Sequence, residues 1–244
     1  MATKEPTPRS VSQRARQPAH TRRQVRRVVE LLEAHFGVPA WEGPRDPLDA
    51  MVQTILSQST SDTNSGAAFR SLKKRFPSWE LAAAADAREI AEAIRRGGLA
   101  GQKSVCIKDF LLWVRDRFGS FSIDAICDMQ PNEAYEVFCK VRGIGVKTVA
   151  VTLLFACGMD VFPVDTHVTR ICRRVGLVPE KASSEKIHWL MEPHVPEGKG
   201  HSLHVNLLRL GRQICLSRPR CGICPLRRVC RYAKEQRPWQ ADTD

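Results

Sequence analysis

Apolar residues return every three or four positions along most of this chain, a helical period rather than the two-residue period of strands. Val25, Val28, Val29, Leu32 and Phe36 form the first stripe, which predicts a helix from near Thr21 up to Gly37. A loop rich in Pro and Gly follows, GVPAWEGPRDP. Asp46-Pro47 then makes a helix start with Pro at the first helical position, and Leu48, Met51, Val52, Ile55 and Leu56 form its stripe. LSQSTSDTN interrupts the pattern, Asp62 or Thr63 can cap a helix through Phe76, and Pro77 stops it. Further helices are predicted over 86–96, ending at Gly97-Gly98, over 102–118, and from Pro131 to near Val141. Segments 147–156, 165–175, 184–191 and 201–215 complete the set. No strong period-2 segment or Asn-Gly hairpin turn is present, so the expected class is all-α with short connections.

The remaining composition adds limits. At 244 residues the chain is long enough for one or two domains and needs no disulfide staple to bury a core. No apolar run approaches the roughly 20 residues of a membrane span, and no apolar stretch follows the N-terminal charges as in a secretion signal. Residues 1–20, rich in Pro, Ser, Gln and Arg, read as a disordered basic tail, with a weak likeness to an organelle transit peptide. Lys and Arg number 38 against 26 Asp and Glu, a net charge of +12 that favours a polyanionic partner such as nucleic acid. Aromatic content of 7%, with two tyrosines, disfavours a platform that stacks single strands. Nine cysteines divide unevenly. Cys106, Cys127, Cys139, Cys157 and Cys172 stand singly among apolar residues and read as small core side chains of a protein from a reducing compartment. Cys215, Cys221, Cys224 and Cys230 crowd together.

Three constellations carry chemistry. In Val141-Arg142-Gly143-Ile144-Gly145-Val146-Lys147-Thr148 one helix stops and another begins across a turn with two glycines. Glycines let a backbone approach a ligand, Ile144 can plug the gap between helices, and the amides opening the next helix suit a phosphate. The pattern fits a DNA-binding helix-hairpin-helix or an ordinary turn between helices. It is no Walker loop, because no Gly directly precedes Lys147 and no strand leads in. In Phe162-Pro163-Val164-Asp165-Thr166-His167-Val168, Asp165 stands at a helix N-cap. If its carboxylate also faces Lys147, a lysine made neutral by burial and a helix N-terminus could form a Schiff base beside a group that handles protons or stabilises positive charge. The third is C-x5-C-x2-C-x5-C. Four thiolates this close can hold an iron–sulfur cluster or zinc, and the single C-x2-C pair favours the cluster. Arg218, Arg220, Arg227 and Arg228 in that loop could be presented to phosphates.

With GIGVKT, PVDTH and the four-cysteine loop in this order, the sequence resembles the endonuclease III family of DNA glycosylases, within the helix-hairpin-helix, Gly/Pro-rich, Asp superfamily. The likeness runs from about residue 22 to 234. It implies two helical domains with a cleft between them. One is a contiguous bundle with the helix-hairpin-helix over 45–160. The other is an iron–sulfur domain that joins 21–44 to 161–234, with 235–244 as a C-terminal tail. It implies Lys147 as the Schiff-base lysine and Asp165 as the catalytic aspartate. Cys215, Cys221, Cys224 and Cys230 become ligands of a structural [4Fe–4S] cluster. Arg142, Gly143, Ile144 and Gly145 are expected at the DNA. Leu99 is the wedge that enters the base stack, and Gln58, or Ser59 beside it, fills the space an extruded base leaves; extrusion is what chemistry on a duplex base requires. Two departures stand out: Val141-Arg142 replaces the usual Leu-Pro, and the first cysteine gap is five residues rather than six.

The resemblance implies a bifunctional glycosylase and abasic-site lyase acting in base excision repair on oxidised pyrimidines. Its partner would be duplex DNA with a damaged base or abasic site. The protein is expected as a cytoplasmic, nucleoid-associated monomer without a membrane partner. The adenine-removing branch has a catalytic Glu where this chain has Gln53, which cannot act as an acid, and it carries a further C-terminal domain. A monofunctional glycosylase for mismatched or deaminated bases and a non-catalytic DNA-binding protein are the alternatives; Lys147 disfavours the first.

Overall fold

The computed structural model describes residues 19–236 and is built of helices, with no strand among the described residues. In chain order the helices are α1 (Ala19–Phe36), α2 (Pro47–Ser57), α3 (Asp62–Arg75), α4 (Trp79–Ala84), α5 (Ala87–Ala93) and α6 (Ala100–Phe118). They continue as α7 (Pro131–Phe138), α8 (Val146–Phe155), α9 (Thr166–Val175), α10 (Ser184–Met191), α11 (Gly200–Gln213) and α12 (Arg231–Glu235). The tails read at 1–20 and 235–244 fall largely outside the described residues.

Local chemistry sets most of these boundaries. Asp46 caps α2 by accepting a hydrogen bond from the Asp49 N–H at 2.8 Å, just ahead of Pro47. Ser61, not Asp62 or Thr63, caps α3; its hydroxyl accepts from the Asn64 N–H at 3.3 Å, and Asp62 is already the first helical residue. The helix expected over 86–96 ends at Ala93 and tightens into a 3-10 turn over Arg95–Gly97. The helix from Pro131 ends at Phe138, which leaves Val141 in the hairpin.

The apolar stripes close into two clusters. One gathers α2 through α8, from Leu48 to Val161, around Met51, Ile55, Phe110, Phe138 and Leu153. The other joins Val25, Val28, Val29 and Leu32 of α1 to residues from Phe162 onward, including Val168, Ile171, Leu203 and Leu207. Neighbouring residues Val161 and Phe162 thus belong to different cores. Tyr135 of α7 presents its ring to His188 and Trp189 of α10, with centroids 5.2 and 5.3 Å away. His188 in turn donates from Nδ1 to the Phe162 carbonyl at 3.0 Å.

The reading of five solitary core cysteines needs correction. Cys127 and Cys157 are joined by a disulfide, which ties the turn after α6 to the end of α8. Their partnership depends on a fold that brings positions thirty residues apart together, and no local spacing signals it. Cys172 is fully buried as expected, while Cys106 and Cys139 are partly buried free thiols.

Candidate functional site

Between α7 and α8 the chain makes the expected hairpin. Val141 and Ile144 turn inward and are buried, and the Ile144 N–H closes the turn onto the Val141 carbonyl at 3.0 Å. Arg142, Gly143 and Gly145 face outward. The two glycines do different work. Gly143 has φ +87°, and a Cβ there would lie 2.4 Å from Cys106 Sγ, so no other residue fits without displacement. Gly145 has an extended φ of −109° and caps α8 with no side chain, so its small size leaves the first amides of the helix open.

Lys147 is the second residue of α8 and is half-buried. Burial lowers its proton affinity; the carboxylates of Asp165 and Asp62 oppose that shift without cancelling it. Asp165 caps α9, accepting from the Val168 N–H at 2.7 Å. A helix of the first core and a helix start of the second therefore bring an amine and a carboxylate within electrostatic reach. Asp62 also pairs with Arg212 of α11, a surface link between elements of the two cores.

A third group, absent from the sequence reading, belongs to this site. His204 of α11 is buried, and its Nδ1 lies 2.9 Å from the Pro163 carbonyl. A carbonyl only accepts, so Nδ1 carries the proton. Burial depresses its affinity to about 4, while Asp165 raises it and Lys147 lowers it. The ring is thus neutral beside the lysine and carboxylate, and it holds the segment leading into Asp165. Sequence offers one faint signal, a histidine on the inner face of an amphipathic helix.

Leu99 and Gln58 lie on two neighbouring turns. Leu99 precedes α6, is 53% exposed and has φ +49°. Ser59 has φ +53°, and these are the two non-glycine residues with positive φ among the described ones. A left-handed conformation costs an ordinary residue roughly 1–2 kcal/mol, so surrounding contacts must hold it. Gln58 is exposed and donates from Nε2 to the Gly143 carbonyl at 3.3 Å, which links its turn to the hairpin. Gln53 is exposed on α2.

In the C-terminal loop the four thiols feel one another. The Cys224 thiol is pushed up to about 11, by burial first and then by Cys215, Cys230 and Cys221. Arg174 sits among them. Its Nη1 donates to Cys215 Sγ at 3.3 Å and to the Leu216 carbonyl at 2.6 Å, and its own carbonyl accepts from Cys230 Sγ at 3.3 Å. No three His, Cys, Asp or Glu side chains among the described residues gather as ligands of a single ion do. Arg174 thus touches two of the four sulfurs, Cys215 through its guanidinium and Cys230 through its backbone carbonyl.

A family profile for the HhH-GPD superfamily of base excision DNA repair proteins matches residues 52–196. A candidate DNA glycosylase of Arabidopsis thaliana is 36% identical over 168 residues, which cover 69% of this chain and 57% of that protein. Endonuclease III of Sulfolobus acidocaldarius is 28% identical over 191 residues, covering 77% and 83% of the two chains. Three longer plant relatives are matched over 9% of their length. A solved structure of a trapped endonuclease III–DNA covalent intermediate superposes with a TM-score of 0.76 at 23% identity, covering 88% of this chain and 97% of that one. From profile and fold together, this chain belongs to the HhH-GPD superfamily of base excision DNA repair glycosylases, the group that includes endonuclease III.

Proposed function

We propose that this protein is a bifunctional DNA glycosylase and abasic-site lyase that removes oxidised pyrimidines from duplex DNA. The observation that carries this reading is Lys147, a half-buried amine of lowered proton affinity that feels the charge of the Asp165 carboxylate. A monofunctional enzyme, which uses water, has no need of such an amine.

In this reading the neutral Lys147 amine donates its lone pair to C1′. The bond from C1′ to the base breaks, and its electron pair leaves with the base, which takes up a proton. Loss of the amine proton and opening of the sugar give an imine. Removal of a C2′ proton then expels the 3′ phosphate by β-elimination. Asp165 stabilises positive charge on the sugar and relays protons, and neutral His204 keeps its approach segment in place. Arg142, Gly143, Ile144 and Gly145 hold the backbone of the DNA, Leu99 wedges the stack and Gln58 fills the gap. The two cores serve as a helical bundle over 45–160 and a second domain over 21–44 and 161–234. Cys215, Cys221, Cys224 and Cys230 would hold a [4Fe–4S] cluster, whose contribution when bound is to brace the loop that carries Arg218 and Arg220. The protein is read as a monomer at the nucleoid.

Borohydride trapping on a duplex with one abasic site tests this. A covalent adduct that disappears in Lys147→Ala is expected. Base release without an adduct or nicking would favour a monofunctional glycosylase; salt-sensitive binding without any product would favour a DNA-binding protein. A panel of duplexes with single damaged bases, scored separately for base loss and for nicking, identifies the lesion.

A further inference from the structure

The turns bearing Gln58 and Leu99 are joined by one buried ammonium. Lys103, on the first turns of α6, is 3% exposed. Its Nζ donates to the Leu56 carbonyl and to the Gly97 carbonyl, each at 2.7 Å. Leu56 lies in the last turn of α2, two residues before Gln58, and its carbonyl is among those a helix C-terminus leaves unpaired. Gly97 ends the 3-10 turn two residues before Leu99. The Lys103 backbone also grips this second turn, since its N–H donates to the Leu99 carbonyl at 3.0 Å. One residue therefore holds the left-handed Leu99 from both sides and fastens it to the chain entering Gln58 and Ser59.

A lysine reaches this position at the expense of burying a charge, and burial alone lowers its proton affinity, with no carboxylate assisting. Such a group is retained where its donors fix something that apolar packing leaves loose. We propose that Lys103 is a positioning residue that sets the separation of the Gln58 and Leu99 turns, so that both tips enter a lesion-bearing duplex as one preset pair. This rests on the reading of the protein as a base-extruding glycosylase. Loops ordered before binding do not lose their freedom at the moment of binding, and that difference falls on lesion recognition rather than on phosphate contact.

The test compares two duplexes of one length, one undamaged and one with a tetrahydrofuran abasic analogue, titrated with wild type, Lys103→Met, Leu99→Ala and the double variant. Lys103→Met is expected to lower affinity for the analogue duplex at least about tenfold, the scale of effect a misplaced contact group produces. Affinity for undamaged duplex stays within about twofold, because the phosphate contacts remain. In the Leu99→Ala background the further effect of Lys103→Met on this ratio disappears. Thermal melting checks folding; should Lys103→Met not fold, Lys103→Gln, whose side chain is one atom shorter and so does not hold both carbonyls at the native separation, is read the same way. A folded variant with the wild-type ratio, or an undiminished effect in the Leu99→Ala background, overturns the proposal, as does unfolding of both Lys103 variants, which would make the lysine a core residue alone. Borohydride trapping by the wild type is scored independently, so loss of the glycosylase reading is distinguishable from loss of this one.

Discussion

Burying part of an ammonium destabilises a folded chain unless partners offset it, and at Lys147 the nearby carboxylates offset it incompletely. Its proton affinity is lower folded than unfolded, so the penalty is full below the folded pKa and fades as pH rises from there toward the ordinary lysine value. Lys147→Met should therefore be more stable than wild type at pH 7 by about 1 kcal/mol, within the range common for substitutions that remove a functional strain. Urea denaturation checks it, and the advantage should shrink with rising pH. Asp165 raises the affinity of the same amine. Asp165→Asn should thus shift the rising limb of the trapping rate to lower pH, while the plateau falls on the order of 100-fold, as expected when a group handling protons is lost. Opposite movement of the limb would separate the two side chains. His204, with an affinity depressed to about 4, contributes no limb near neutrality. That Lys147 and Asp165 stand at helix starts was legible in the sequence, because both lie in short motifs with clear stop and cap residues. His204 was not, because its partner Pro163 lies 41 residues away and only the packing of α11 joins them.

Elements were legible where they were long enough to show a period or sharply punctuated. The stripe of α2 and the Asp46-Pro47 start are both in the sequence and both in the structure. At six and five residues, α4 and α12 are too short to display a helical repeat, and neither was anticipated. The hairpin shows the same division. Its glycines marked a turn, but that Gly143 alone needs a positive φ, and that Cys106 of α6 closes over it, are tertiary facts. Gly143→Ala should cost about 1–3 kcal/mol by overpacking, and Cys106→Ala in the same chain should recover part of that loss; chemical denaturation of the single and double variants measures it. The disulfide between Cys127 and Cys157 closes a thirty-residue separation and braces the end of α8 remote from Lys147. Reduction, or Cys127→Ser, should lower stability by about 3.6 kcal/mol on the loop-entropy argument. Melting with and without reductant tests this, with borohydride trapping retained below the transition.

For the molecule as a whole, two kinds of contact with DNA should be separable by salt. A chain of net charge +12 meets a polyanion chiefly by displacing counterions, a term that depends on how many phosphates are neutralised and not on whether a base is damaged. Arg142 stands exposed on the hairpin, whereas Leu99 is an exposed apolar side chain on a different turn, joined to the hairpin through Lys103, the chain before Gln58, and the Gln58 bond to Gly143. Arg142→Ala should weaken binding to damaged and undamaged duplex by similar factors and reduce the magnitude of the slope of log affinity against log salt by about one. Leu99→Ala should leave that slope unchanged and lower only the preference for the abasic analogue. The two cores give these effects a common frame, because the hairpin and both turns are built by helices of the first core, whereas Asp165 arrives from the second. A change confined to the turns therefore need not disturb the carboxylate, and the adduct formed by Leu99→Ala at saturating DNA should accumulate to the wild-type level. Titrations at four or more salt concentrations, with trapping at saturation, decide the matter: a slope that moves with Leu99→Ala, or a preference that moves with Arg142→Ala, would show that the chain reads phosphates and lesions through the same contacts.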